Sequence, residues 1–415
     1  MLRRRAFLTT ALVGLNAGLI LPNLFVRALA QAQADGSRPA PAAGGDRVLV
    51  IVQLAGGNDG LNTVVPYQDG RYYTVRPTLA IQPDTVLPLT AELGLHPALT
   101  ALADLWTAGR LAVIESVGYD HPSLSHFEAM DIWQTADPER GRRSGWLARV
   151  VAGAVDNQGH PLGAVALGTH LPPALCCPPQ GATLIERPET FRLATDPQHP
   201  DVEAARRRAL ERLYRAYRPP APYAALFETT ATGAAVSLAQ LHQALATYRP
   251  AAVYPTTPLA HGLRLFAALI AAGVGLRVGY LLQGGYDTHA EQAHAHANLL
   301  RTLGEALAAF WADLVAQGHG DRVLVLTWSE FGRRVAENGS RGTDHGTAAP
   351  LFLLGGRVRG GVYGAPPDLG RLDPNGNLRF ETDFRSVYAT VLEKWLGADA
   401  EAALGRRFPL LPVLD

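Results

Sequence analysis

Acidic and histidine residues stand directly after several strongly apolar runs of this sequence. The run Val48–Leu54, for example, leads through Gly56 and Gly57 to Asp59. If these runs are parallel strands, their carboxyl ends meet at one edge of a sheet, where open α/β sheets bind ligands. Carboxylates and imidazoles gathered there suit a borderline divalent metal, zinc or manganese. The residues that this pattern offers as metal ligands are Asp59, Asp287, His289, Glu330, Asp344 and His345.

Each of these residues also has an interpretation without a metal. Asp59 lies between glycines and suits a turn. The stretch Asp287–His289 suits a helix N-cap and its first turn. Asp344 and His345 lie in a glycine-containing loop, where turn chemistry again suffices. Their joint occurrence after several strands favours the metal site. Two histidines of the following helix are instead expected on the surface, namely His294 and His296.

Ser125 is the hydroxyl residue with the most chemical promise, because it stands just before a predicted helix. A helix N-terminus offers unpaired N–H groups and the positive end of the helix dipole, which together favour anions. Near a metal, Ser125 would be a nucleophile toward a phosphate or sulfate ester. As an N-cap with Glu128 completing a capping box, it would be purely structural. Arg333 follows another strand and is predicted to clamp an anionic oxygen, whereas Arg334 is predicted on the surface.

The apolar runs alternate with helical patterns, which predicts a three-layer α/β fold with a mostly parallel central sheet and helices on both faces. Predicted strands cover 48–54, 111–117, 163–167, 276–282, 322–328 and 350–354. Predicted helices cover 95–106, 125–135, 201–217, 234–246, 261–272, 289–315 and 384–396.

The length of the chain bears on its domain organisation, and its net charge bears on the class of partner it binds. Residues 46–415 suit one large α/β domain, with a mainly helical insertion around 172–258. Formal net charge is zero, with 37 basic and 37 acidic residues. No basic block stands out, so the sequence gives no sign of a nucleic-acid partner.

The N-terminus resembles an export signal. Arg4 and Arg5 precede a spacer and the apolar residues Phe7 and Leu8, and a mostly apolar run then ends in small-residue Ala-x-Ala steps. This pattern predicts a twin-arginine signal peptide over 1–34, a flexible linker over 35–45, and a periplasmic or extracellular mature protein without a membrane span. The alternative is an apolar segment that is never cleaved and anchors the chain.

Six stretches together resemble the domain-of-unknown-function 1501 family, whose members often carry twin-arginine signals. They are LAGGNDGLN at 54–62, SHFEAMDIW at 125–133, GWL at 145–147, GYDTH at 285–289, SEFGR at 329–333 and TDHG at 343–346. That family is grouped by fold with the alkaline phosphatase and sulfatase superfamily.

The resemblance implies one concrete scheme. Asp59 would bind metal, Ser125 would be the nucleophile, and Asp287, His289 and His345 would be later ligands. The superfamily usually shows an Asp-His pair where this chain has Glu330 and Phe331. Because phenylalanine cannot coordinate a metal, one metal site is expected rather than two.

Two function classes follow. The first is an exported metal-dependent hydrolase or transferase acting on a small anionic phosphate or sulfate ester. The second is a non-catalytic exported scaffold that reuses the fold, which Phe331 supports. Family members are often encoded beside another family of unknown function, which suggests a protein partner by association. A serine hydrolase of the α/β type is disfavoured, because Ser125 lacks the glycines of a G-x-S-x-G turn.

Overall fold

The computed structural model describes residues 46–142, 144–151, 161–176, 182–186, 209, 212 and 223–415. The predicted signal peptide, the linker and most of the predicted helix at 201–217 lie outside these residues. None of the helices in the described ranges is long and apolar enough to cross a membrane.

The described strands comprise one large sheet and one small antiparallel sheet. In chain order they are β1 Val48–Leu54, β2 Val64–Val65, β3 Leu87–Pro88, β4 Gly94–Leu95, β5 Leu111–Gly118, β6 Ala164–Leu167, β7 Thr183–Ile185, β8 Val278–Gln283, β9 Val323–Trp328, β10 Ala349–Gly355, β11 Gly361–Tyr363 and β12 Thr382–Asp383.

The α-helices of the described part lie between these strands. They are α1 Gly60–Thr63, α2 Gly70–Val75, α3 Thr100–Thr107, α4 His126–Thr135, α5 Ala148–Val151, α6 Tyr223–Thr247, α7 Pro258–Ala271, α8 Gln292–Ala316, α9 Phe384–Thr390 and α10 Ala400–Leu404. Short 3₁₀ turns cover Pro97–Leu99, Pro173–Leu175 and Gly320–Arg322, and a π-helical turn covers Val391–Leu396.

The large sheet has the order β11-β5-β10-β9-β1-β8-β6-β7, and β12 also pairs with β5. Strand β1 lies between β8 and β9 and is parallel to both. Strand β10 is antiparallel to both of its neighbours, β5 and β9. The loop before β10 therefore lies at the edge where the parallel strands end.

Alternate residues of β1 enter two separate cores, because successive side chains of a strand point to opposite faces. Val48 and Val50 pack in a core that includes residues of α3, α7 and α8. Leu49 and Ile51 pack in a second core with residues of α4, α9 and α10. The prediction of a three-layer α/β fold with a mostly parallel sheet and helices on both faces is confirmed.

The region expected to be a helical insertion is not purely helical. Strand β7 falls inside 172–258 and pairs in parallel with β6 at the end of the large sheet. A strand of three residues carries too little alternation to be recognised from sequence. The assignment of 46–415 to a single domain stays a prediction.

Candidate metal centre

The strand ends converge as the topology requires. The segment after β1, the loop after β5 and the segments after β8 and β9 share one edge of the sheet with the loop before β10. A short antiparallel bridge between Arg333 and His345 ties two of these segments together. At Gly56, the segment after β1 closely approaches the segment after β8. A Cβ at Gly56 would lie 2.4 Å from the backbone nitrogen of Asp287.

Three side chains at this edge bring potential ligand atoms together. One ligand atom each from His126, Asp287 and His345 lies within 4.8 Å of the other two. His289 adjoins them, with its Nε2 atom 3.0 Å from Oδ1 of Asp287 and 3.0 Å from Nε2 of His345. Asp287, His289 and His345 were predicted as ligands. His126 was not, although it follows Ser125 directly.

The Nδ1 atoms of all three histidines face oxygen atoms that can only accept hydrogen bonds. His126 Nδ1 lies 2.8 Å from Oε1 of Glu330, and His345 Nδ1 lies 2.8 Å from the carbonyl oxygen of Leu124. His289 Nδ1 lies 3.2 Å from Oδ1 of Asp344. Each of these oxygens can accept a proton from Nδ1, and in a neutral ring of that tautomer the lone pair is on Nε2.

The three Nε2 atoms converge on Asp287, and those of His289 and His345 lie 3.0 and 3.2 Å from its Oδ1 atom. His126 Nε2 is buried and makes no hydrogen bond within the described residues, although Asp287 Oδ2 is 3.5 Å away. Two lone pairs at the 3.0 Å separation of His289 Nε2 and His345 Nε2 repel unless a proton or a cation lies between them. Ligating histidines characteristically donate their other ring N–H to a carboxylate or carbonyl, and all three are placed to do so here.

Arg333 orients the carboxylate of this cluster. Its side chain is fully buried and donates to Oδ1 of Asp287 at 2.7 Å. It also donates to the backbone carbonyls of Gly57 and Thr343. Partial burial raises the pKa of Asp287, but the hydrogen bond and charge of Arg333 outweigh it and lower that pKa to about 2. Asp287 is thus ionised at neutral pH. Arg333 was predicted to clamp an anionic oxygen, but its guanidinium contacts protein atoms instead.

Glu330 and Asp344 hold histidine rings. The carboxylate of Glu330 is fully buried and accepts from the backbone N–H of Gly56 at 2.8 Å as well as from His126. Its hydrogen bond raises the pKa of His126. A ring made more basic in this way is a better ligand. Both acids were predicted as ligands, and the structure places both behind the rings.

Phe331 stands where the resemblance implies a ligand, and it packs against the histidines. Its ring centroid lies 4.9 Å from that of His126 and 4.7 Å from that of His345. It is buried and lies so close to Gly57 that a Cβ there would come within 2.6 Å of its ring. Phe331 therefore fixes the positions of two imidazoles.

Asp59 lies in a different environment from the other predicted ligands. It is fully buried and forms a 2.6 Å ion pair with Arg76, which is also fully buried. Gln292 donates to the same oxygen. Burial raises the pKa of Asp59, but the charge and hydrogen bond of Arg76 leave it below its ordinary value. Its other oxygen, Oδ1, accepts no hydrogen bond within the described residues.

Ser125 is the N-cap of α4, and its side chain makes no capping hydrogen bond. Glu128 instead accepts from Ser123 and Arg140, so the predicted capping box does not form. Ser125 is exposed and stands between Leu124, whose carbonyl holds His345, and His126. Ser125 therefore lies on the segment that contributes both His126 and the Leu124 carbonyl to the histidine cluster.

Two interpretations from the sequence were wrong. His296 is buried, with its Nε2 2.9 Å from Oδ1 of Asn58, and is not a surface residue as expected. Asp287 does not cap a helix, because α8 begins at Gln292 with Glu291 as its N-cap. His294 is exposed, as expected.

Several solved structures match this chain at low identity and low TM-score. A protein in the alkaline phosphatase superfamily from Vibrio parahaemolyticus is 10% identical, with a TM-score of 0.38 over 90% of this chain and 73% of that chain. The PsFucS1 sulfatase from Pseudoalteromonas sp. is 11% identical, with a TM-score of 0.39 over 88% and 70%. The lipoteichoic acid synthase LtaP from Listeria monocytogenes is 8% identical, with a TM-score of 0.35 over 79% and 71%. Scores this low carry no argument about chemistry.

The curated proteins contain no match to this sequence. A family profile does match it, over residues 112–406, which include five of the six stretches that suggested the resemblance. The chain therefore belongs to the family described as "Protein of unknown function (DUF1501)".

Proposed function

We propose that this protein is a divalent-metal-dependent hydrolase or transferase acting on a phosphate or sulfate ester. The observation that carries the proposal is the arrangement of three imidazoles around Asp287. A proton between each Nδ1 and its oxygen acceptor leaves Nε2 as the ring atom that a cation would bind, beside the carboxylate of Asp287.

The donor set fits one metal ion. Three imidazole nitrogens and one carboxylate match the preference of zinc, and manganese is the alternative where the carboxylate dominates. The unpartnered, buried Nε2 of His126 supports the same fit. When bound, the ion supplies a Lewis acid that lowers a hydroxyl pKa and neutralises charge on the ester. Asp287, ionised and held by Arg333, contributes the negative charge of the site.

Ser125 is proposed as the nucleophile. Its hydroxyl is exposed, makes no capping bond and belongs to the residue next to His126. At the N-terminus of the ten-residue helix α4, unpaired N–H groups and the helix dipole favour the anionic oxygens of an ester positioned for attack. Arg333 is assigned to orienting Asp287, because its buried guanidinium is directed at protein atoms.

The direct test combines metal analysis with turnover. We expect about one equivalent of zinc or manganese per chain by plasma mass spectrometry. We also expect metal-dependent hydrolysis of p-nitrophenyl phosphate or p-nitrophenyl sulfate, and Ser125→Ala should lower kcat by at least ~100-fold while leaving bound metal in place. Ser144→Ala changes a serine outside the cluster and is the matched control. A chain without metal and without turnover of either ester would sink the proposal.

A non-catalytic scaffold is the second candidate. Two residues expected to touch metal or substrate, Asp59 and Arg333, are fully buried in ion pairs and hydrogen bonds with protein atoms. Stoichiometric metal binding without turnover of any ester, together with a wild-type cellular phenotype for Ser125→Ala, would favour a structural metal in a scaffold.

Export through the twin-arginine route is also proposed, on the strength of Arg4, Arg5 and the apolar run that follows. A protein that folds before export takes up its metal inside the cell, where supply rather than raw affinity decides which ion binds. Replacing Arg4 and Arg5 by lysine should leave the full-length precursor in the cytoplasm in fractionation experiments. Unchanged export of that variant would contradict this route.

A further inference from the structure

A large cleft adjoins the candidate metal centre. Its volume is about 850 Å³, and one of its walls is Leu124, the residue whose carbonyl oxygen holds His345. Thr347, two residues beyond His345, also lines it. Ser125 follows Leu124 directly, so the cleft begins beside the proposed nucleophile. A volume of this size is typical of small-molecule sites.

The walls of the cleft combine rings with polar side chains of both charges. The rings are those of Tyr119, Pro122, Pro374 and Phe380. The charged side chains include Arg371, Arg379, Asp120, Asp373 and Glu381. Arg371 and Glu381 pair with one another at 2.5 Å, so this part of the wall is electrically balanced. A balanced wall does not select a polyanion. Tyr119 is buried and the proline rings are puckered, so Phe380 supplies the flat ring of the wall. One flat ring beside amides and charged groups suits a neutral, hydroxyl-rich molecule.

One loop of the cleft is a rigid turn that presents amides. The carboxylate of Asp373 accepts from the backbone nitrogens of Asn375 and Asn377 at 2.8 and 2.7 Å. It also accepts from Nδ2 of Asn377 at 3.0 Å, which fixes that amide's orientation because a carboxylate only accepts. Pre-organised polar groups of this kind lose little freedom when a ligand binds.

Asn377 has an unsatisfied acceptor in this turn. The residue is 1% exposed, and its Oδ1 atom accepts no hydrogen bond within the described residues. An unpaired buried acceptor is costly, and a hydroxyl from a ligand satisfies it.

We propose that the cleft binds the leaving group of the substrate and that this group is a carbohydrate, which makes the substrate a phosphate or sulfate ester of a sugar. The assignment rests on the proposed function, since it places the ester at Ser125 and the sugar beyond Leu124. Asn375, Asn377 and Arg379 supply hydrogen bonds to hydroxyls, and the ring of Phe380 packs against a sugar face.

The binding test uses the full mature protein with its metal removed by chelation, so that it does not depend on catalysis. Saturation-transfer NMR is run with neutral trisaccharides of glucose, galactose and mannose. We expect binding to at least one of them, weakened about tenfold in the double variant Asn375→Ala, Arg379→Ala, because one or two hydrogen bonds are lost. Both side chains lie on exposed residues, so folding should survive. Gln68→Ala, in a separate surface cavity, is the matched control and should bind as wild type does.

The outcomes separate this inference from the proposed function. Absence of binding to all three trisaccharides, equal binding by wild type and the double variant, or binding only to short peptides would overturn the carbohydrate assignment while leaving metal content and ester turnover as they are. Loss of metal content with sugar binding intact would instead remove the proposed function. With both intact, kcat/KM for a sugar ester relative to the p-nitrophenyl ester should fall about tenfold in the double variant.

Discussion

Two polar clusters lie behind the same sheet edge, and they are built on opposite principles. Around Asp287, histidine nitrogens converge on the carboxylate, and the side chains of Asp287 and His289 are 48% and 44% exposed. Around Asp59, an arginine lies against the carboxylate, and neither side chain of the pair is exposed. The first cluster is therefore open to solvent, and the second is closed.

The difference shows that residue type alone does not mark a metal site. Asp59 and Asp287 are both aspartates after buried parallel strands, and both have lowered pKa values through an arginine. Asp287 lies 3.0 and 3.2 Å from the Nε2 atoms of His289 and His345, whereas Oδ2 of Asp59 is engaged by Arg76 and Gln292. What distinguishes the open cluster is that its buried partners, Glu330 and Arg333, hold the ligands from behind and leave their outer faces free. The predictions below test this contrast.

The largest expected effect is on stability, from breaking the closed cluster. Arg76→Met leaves Asp59 buried without a cation, which typically costs about 3–5 kcal/mol in free energy of unfolding. Urea denaturation measures it. Arg71→Met, which removes an exposed pair with Asp69, should change stability by less than ~1 kcal/mol. If Arg76→Met were as stable as wild type, the buried Asp59–Arg76 pair would not stabilise the fold.

Urea denaturation, together with a measurement of metal affinity, tests the role of Asp59. Asp59→Asn should lower stability and leave metal affinity within about threefold of wild type, since its Oδ2 is engaged by Arg76 and Gln292. Its unpartnered Oδ1 leaves one competing role. A drop in metal affinity as large as that of an Asp287 variant would make Asp59 a ligand and join the two clusters into one site.

Asp287→Asn should break the open cluster. The variant removes the negative charge among three imidazoles, and metal affinity should fall by ~100-fold or more, measured by competition with a chelating dye. The free energy of unfolding of the metal-free protein should also fall, by on the order of 1–2 kcal/mol, because the carboxylate neutralises the buried guanidinium of Arg333. Asp84→Asn, at an exposed loop position, is the control. Unchanged affinity would show that the metal binds elsewhere.

Glu330→Gln should have a smaller effect on the same affinity. Glutamine keeps the Oε1 acceptor that both His126 and the N–H of Gly56 use, but it removes the charge that makes the imidazole more basic. Replacement of such a partner behind a ligand typically costs 10- to 100-fold, so we expect about tenfold here. If Glu330→Gln lowered metal affinity as much as Asp287→Asn does, Glu330 would be a direct metal ligand.

Much of the fold was predictable from sequence because its central strands are long and buried on both faces. The apolar run 48–54 matches β1 residue for residue, and the runs at 322–328 and 350–354 match β9 and β10 within a residue. The antiparallel direction of β10 was not predictable, since direction depends on the path of the loop at 343–348 rather than on apolar pattern. Short strands such as β7 and β12 have too few residues to show a pattern.

The strand-end rule predicted that Asp287, His289 and His345 would lie together, and the structure places them at one sheet edge. Their role as metal ligands stays a prediction. His126 was not predicted, although a histidine after a strand end was the available signal. The partners of Asp59 were missed for a different reason: Arg76 lies beyond α1 in sequence, and no spacing rule connects an arginine in a following turn with a buried aspartate.

Glu115 is another buried carboxyl group, and it sharpens the contrast because no arginine pairs with it within the described residues. It lies in β5, is 2% exposed, and its Oε1 accepts no hydrogen bond within the described residues. Burial raises the pKa of Glu115 to about 8, opposed only weakly by a hydrogen bond from the Ser116 backbone. The folded state therefore holds this proton more tightly than the unfolded chain does. Its contribution to stability is complete below the unfolded pKa near 4.5 and is lost as pH rises through about 8.

Glu115→Gln removes that dependence, because the amide stays neutral. Its free energy of unfolding relative to wild type should therefore increase between pH 5 and pH 9, by on the order of 1–2 kcal/mol in a site that relaxes around the charge. Urea denaturation at both pH values measures it, with Glu139→Gln at an exposed position as the control that should show no trend. A difference that stays constant with pH would mean that Glu115 is ionised in the folded protein, as Asp59 is, and that a cation lies near it.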